Sequence, residues 1–148
     1  MALLETVVAV THLVVGALWV GSVTFVAVTV LPAARDGTLN AGPTESMLGS
    51  LVTGSRASSV LMLLTGGYLA GVRYGGGSMT GTTDGWLVIA MVVLWLAFTA
   101  LIEIGASRAR DGLGQGKVRA PAGRALTAFR IAALVGFLLL VDAGVLLG

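Results

Sequence analysis

Apolar residues fall along this chain in four long runs, separated by short stretches that are polar, glycine-rich or basic. The first run, VVAVTHLVVGALWVGSVTFVAVTVL, closes at Leu31 before Pro32, because proline removes a backbone donor and biases the preceding residue out of the helical region. After the turn-rich AARDGTLNAGPTES, a second run is clearly apolar from Ser58 to Val72, with Arg56 just before it and a helical start expected near Glu45. The third, GWLVIAMVVLWLAFTALIEIG, follows Thr83 and Asp84, either of which suits a helix cap. The fourth opens with Pro121 in its first turn. The pattern predicts helices over about 4–31, 45–73, 83–107 and 121–147. Each is long enough for a hydrocarbon layer that takes about 20 residues to cross. Barrel strands would alternate apolar and polar residues, and VVLWLAFTALIEI does not.

Composition agrees with that reading. Hydrophobic residues make up 56% of the 148, charged residues 11%, and mean hydropathy is +0.96; soluble chains carry about 25% charge. The expected fold is all-α, an integral membrane four-helix bundle forming a single transmembrane domain over residues 1–148. Glu5 and the absence of Lys or Arg ahead of the first run mark a retained span, since that run exceeds the roughly 7 to 15 apolar residues of a signal peptide. With no cysteine, thiolate metal sites and thiol catalysis are excluded. The pI near 9.7 does not point to nucleic acid, because net charge is only +2 and the basic residues lie between spans.

Those basic residues set the expected orientation. Arg35 and Arg56 flank the first connection, and Arg108, Arg110, Lys117, Arg119 and Arg124 the third, whereas the second has Arg73 alone. Positive residues in short loops stay cytoplasmic, so loops 1-2 and 3-4 face the cytoplasm of a cell-membrane protein that is N-out/C-out. Gly67 and Gly71 form a small-xxx-small pair expected to let another helix approach. The connector RYGGGSMTGTTDG lacks the strand and the Lys-Ser/Thr pair of a phosphate loop. Trp86 suits the interfacial belt, and Trp95 falls near mid-membrane.

Helical rise places chemistry by depth. His12, the single histidine, falls about 12 Å below the outer end of helix 1, Asp142 about 9 Å below that of helix 4, and Met91 about 10 Å into helix 3, with Met62 deeper. Imidazole suits copper or haem iron, thioethers suit Cu(I), and a carboxylate can orient the imidazole. His12, Met62 and Met91 are therefore ligand candidates, with Asp142 and Trp19 behind them. The competing reading pairs His12 with Asp142 as a satisfied buried polar group and leaves the methionines as packing filler. Towards the cytoplasm, Glu103, Arg56 and Arg130 form a candidate charge cluster, read as an interhelical ion pair or a proton or ion pathway. Glu5 shares a face with His12 but stands about 10 Å away along the axis.

His12, Trp19, Gly21, Phe25 and Leu31-Pro32-Ala33 spell H-x6-W-x-G-x3-F-x5-LPA. This pattern resembles the copper resistance D (CopD) type of membrane domain. LLTGGYLA over residues 63–70, with its TG pair, resembles that group's second helix, and Arg56 its preceding arginine. The resemblance covers roughly residues 8–72 and implies copper or haem handling through His12. A more distant likeness is to the HemJ membrane proteins, associated with haem and protoporphyrinogen oxidation, which place a lysine in the third helix where this chain has Ala90 and Met91. Three readings follow: a copper- or haem b-handling membrane protein, a non-catalytic subunit of a homo-oligomer or membrane complex, and, last, a porphyrin oxidase, which would need a redox cofactor. No residue set reads as catalytic. The lipid bilayer is the partner all three share.

The orientation is open to a direct test. A membrane-impermeant thiol label applied to intact cells should miss cysteines introduced at Asn40 and Gly114 and modify one at Ser78; labelling at Gly114 without Ser78 reverses the topology.

Overall fold

The computed structural model describes residues 3–147 except Gly76 and Ser78, so the outward-label position lies outside the described residues. Four long helices carry the chain: α1 (Leu3–Asp36), α2 (Ala41–Tyr74), α3 (Thr83–Gly114) and α4 (Arg119–Leu147), with a single 3-10 turn at Met79–Gly81 between α2 and α3. Each is long and apolar enough to cross a bilayer. The protein is thus a multi-pass, all-α membrane protein by helix length and hydropathy. Successive helices are neighbours and α4 returns against α1, which closes an up-and-down bundle.

Three helix ends differ from the sequence expectation. Pro32 does not stop α1. Upstream of it the helix widens into a π turn, Val26–Val30, with the Leu31 N–H reaching back to the Val26 carbonyl. Pro32 then enters the first turn of the final piece, Leu31–Asp36, where its missing N–H costs little. The helix ends at Gly37, whose φ of 83° lies in the left-handed region, and the Thr38 N–H closes onto the Ala33 carbonyl at 3.0 Å. α2 starts at Ala41, ahead of Glu45, because extended Asn40 leads straight into a first turn that tolerates Pro43. α3 runs past Ser107 to Gly114, since Ala109, Gly112 and Leu113 still have a buried face to fill. Its cap is Thr82, not Thr83 or Asp84: the Thr82 Oγ1 accepts from the Gly85 N–H at 3.1 Å. A side chain at Gly85 would run into the Met79 carbonyl, so glycine is needed to fold the 3-10 turn onto the helix.

The core lies towards one end of the bundle. Trp19 of α1 meets Phe98 of α3 edge-on, centroids 4.8 Å apart, and Phe98 and Phe129 are fully buried. α3 and α4 share the most extensive contact, made close by small residues. A Cβ at Gly105 would stand 2.7 Å from the Phe129 ring, and one at Gly136 2.9 Å from Phe98. Beyond Gly16 on α1, Ser59 on α2, Phe98 on α3 and Gly136 on α4, the described residues towards the other end are mostly part-exposed, with Thr65, Gly85 and Asp142 the buried exceptions. Lipid, which lies outside the protein's own packing, solvates that half.

Gly67 and Gly71 do not pack helices within one chain. A Cβ at either would meet nothing within 4 Å. The notches in use on this side of the bundle are Gly66, against His12, and Gly16, against Met62. A four-residue spacing shows that two glycines share a face, but not which face turns inward.

Leucine at Gly105 should therefore force the Phe129 ring aside and lower stability by about 1–3 kcal/mol, as overpacking does. Leucine at Gly67 should leave the unfolding midpoint of detergent-purified protein unchanged; equal shifts for the two would contradict this packing.

Candidate functional site

His12 sits on the face of α1 that meets α2, and its imidazole lies over Gly66, whose absent Cβ would stand 3.0 Å from the ring Cε1. Its Nδ1 is 2.7 Å from the Thr65 Oγ1. That hydroxyl has one proton, and it is also 2.7 Å from the Leu61 carbonyl one turn back in α2. A helical threonine gives its proton to that carbonyl, so Oγ1 faces the ring with a lone pair. Nδ1–H must be the donor. The tautomer assigned by this chain, Nδ1–H to Thr65 to the Leu61 carbonyl, leaves the lone pair on Nε2. Among the described residues Nε2 has no hydrogen-bond partner, and it is not among the atoms that the fold seals away.

One layer further into the bundle the roles of the helices reverse. Met62 of α2 reaches over Gly16 of α1, with Cε 3.2 Å and Sδ 3.7 Å from where a Cβ would be. Imidazole and thioether thus occupy adjacent layers of the same interface, separated along the axis by one helical turn, about 5.4 Å. Below them the Trp19 indole donates to the Ser55 Oγ at 2.9 Å. Trp19 belongs to the core and does not back His12 directly.

Asp142 does not pair with His12, since no ion pair or hydrogen bond joins them among the described residues. It is buried to 8% exposure, and among the described residues its Oδ2 has no hydrogen-bond partner, nor have the Tyr74 hydroxyl and the Trp95 Nε1. Met91 is half-buried on α3, with no hydrogen bond to His12. No group of three or more His, Cys, Asp or Glu side chains converges on a metal position among the described residues. The two side chains of the α1/α2 interface that carry nitrogen or sulfur ligand atoms are one imidazole and one thioether, in adjacent layers.

Thr65 is the site residue that polarity and depth did not single out. Its signal lay in the TG pair of α2: Thr65 holds the imidazole and Gly66 makes room for it.

The inner charges are sorted as well. Arg56 and Glu103 form a bidentate pair between α2 and α3, Nε to Oε1 at 2.7 Å and Nη2 to Oε2 at 3.0 Å. With side chains 62% and 38% exposed, the pair gains little where water reaches it. Arg130 is not part of it. It lies on α4 beside a groove shared with α1, and no ion pair reaches it among the described residues.

Comparisons of this chain with protein-family models, curated proteins and solved structures return no match.

A double-mutant cycle distinguishes these charges. Replacing either Arg56 or Glu103 by glutamine should lower the unfolding midpoint only slightly, and replacing both should lower it by less than the sum of the two, because the exposed bidentate contact is lost once. Arg130→Gln should combine additively with Glu103→Gln; coupling between those two would restore Arg130 to the cluster.

Proposed function

We propose that the protein binds copper or the iron of haem b through Nε2 of His12, as its resemblance to CopD-type membrane domains implies, and handles that ligand within the membrane without catalysing a reaction on it. The observation that carries this reading is the hydrogen-bond chain on Nδ1. It fixes the ring and its tautomer and leaves Nε2 open, the arrangement by which a ligating histidine is oriented and made more basic. Thr65 takes the orienting part first assigned to Asp142. Met62 is the thioether for copper, one layer away; Met91 is the alternative sulfur from α3, and for haem a second axial ligand.

A second reading, a structural subunit of a homo-oligomer or larger membrane complex, is favoured by Gly67 and Gly71. Both face open space on α2, where a neighbouring helix could approach closely.

Absorption spectroscopy with elemental analysis of purified, reconstituted protein separates the two. One ligand per chain or per pair of chains should be found, as a Soret band for haem or as copper by mass. It should be lost in His12→Ala and weakened about 10 to 100-fold in Thr65→Val. Asp142→Asn should retain it. Equal ligand content in wild type and His12→Ala, including none in either, leaves the subunit reading.

A further inference from the structure

A groove of about 620 Å³ runs along the seam between α1 and α4, floored by Ala17, Gly21 and Val28 on one side and by Leu134 and Phe137 on the other. Arg130 is the single charged residue of its lining. The guanidinium is exposed, and among the described residues it has neither an ion-pair nor a hydrogen-bond partner. An arginine facing lipid without a carboxylate is expensive unless something anionic meets it.

Its depth identifies what is in reach. Counting from the far end of α4 at Leu147, Arg130 lies about 25 Å along the axis, roughly one turn short of the 30 Å hydrocarbon limit. Glu103 of α3, counted in the same way from Thr83, lies at about 30 Å and carries the Arg56 pair at that boundary. Side chains on a helix lean towards its N-terminus, which for α4 is the nearer membrane surface. From this depth a side chain as long as Arg130 can snorkel to the level of lipid phosphates.

A second arginine stands on the same seam. Arg35, at the end of α1, passes over Gly123 of α4, its Cγ 3.9 Å from where a Cβ would be. Gly123 precedes Arg130 by two helical turns, about 10 Å. The two guanidinium-bearing side chains thus bracket the headgroup level from outside and inside, and the apolar groove continues from Arg130 towards the bilayer centre. Arg35 shares its charge with Asp36 at 3.1 Å, an exposed contact, whereas Arg130 shares its with no residue described.

We propose that this seam is a binding site for one anionic phospholipid, its phosphate held between Arg130 and Arg35 and an acyl chain lying in the α1/α4 groove. The charge requires an anion, and the apolar floor requires a tail. A free phosphate lacks the tail, and a zwitterionic lipid brings its phosphate together with a cation that cancels it, so only an anionic lipid adds net negative charge to the two arginines. The same end of the bundle carries Arg108, Arg110, Lys117, Arg119 and Arg124, so the surrounding field also draws anionic headgroups.

The test uses the full chain purified in detergent, incubated with equimolar phosphatidylglycerol and phosphatidylcholine of the same acyl chains, with retained lipid counted by native mass spectrometry. Wild type should keep one phosphatidylglycerol per chain in preference to phosphatidylcholine. Arg130→Gln should reduce that preference about fivefold, the scale of one arginine beside an anionic surface. Gly21→Leu, at a position with nothing within 4 Å of its Cβ, should fill the groove and lower retention with every charge in place. Arg73→Gln, at the opposite end, should change neither. Excess inorganic phosphate should fail to displace the lipid; displacement by it would mean an anion site without a tail groove. Equal retention of the two lipids by wild type, or an undiminished preference in Arg130→Gln, overturns the proposal, and unchanged retention in Gly21→Leu removes the groove from it.

Discussion

Helices in hydrocarbon gain nothing by hiding leucine from lipid, so whatever holds them together must come from contact closer than lipid can make. In this bundle that contact is concentrated where α3 and α4 meet, with Phe129 seated on Gly105 and Pro121 on Gly112, and where Gly136 admits Phe98 and Val20. Trp19 then crosses to Phe98 and brings α1 to the same point. The rest of the architecture hangs from this packed end. Towards the other end the helices are held by a few layers, and there the imidazole and thioether lie. A change at the imidazole or the thioether therefore falls outside the core that keeps the bundle closed.

Polar contacts between helices follow a common rule. Hydroxyls at Thr24, Thr44, Thr65 and Thr99 return their proton to a carbonyl one turn back in their own helix. Such a hydroxyl can still accept from a neighbouring helix, and Thr65 does so from His12. Ser55 accepts from Trp19 in the same sense. A donor-rich aromatic or imidazole on α1 thus meets a small acceptor on α2 in two successive polar layers. These bonds give α1 and α2 a register that apolar packing alone leaves loose, since each places a ring nitrogen opposite one particular side chain.

The spans themselves were legible because apolar run length and helix length are nearly the same quantity in a membrane protein. The Arg56–Glu103 pair was legible for a related reason: two opposite charges at equal depth on adjacent helices have few other places to go. Axial depth comes from counting residues, but rotation about the axis does not. For that reason Asp142, at a plausible depth, was linked to His12 when Thr65 fills the role. For the same reason the spacing of Gly67 and Gly71 does not tell whether their face turns inward, and the close approaches between α1 and α2 fall at Gly66 and Gly16. Arg130 was grouped with charges on another face of the bundle. The end of α1 was misplaced because Pro32 forbids only an ordinary turn around it, and a π turn removes the conflict.

That π turn also acts at a distance. Each residue of an α-helix advances the side chain by about 100° around the axis. The wide turn at Val26–Val30 takes up more chain per revolution, and so sets the angular phase of everything upstream relative to Leu31–Asp36. Below it, α1 packs mainly on α4; above it, mainly on α2. His12 lies about 20 Å from this step, yet the direction its imidazole faces is inherited from it. Removal of one residue from the turn would leave every ligand candidate present and every span intact, while swinging His12 away from Thr65. Along this helix, the spacing between Pro32 and His12 is a dimension of the site in the same sense as any distance within it.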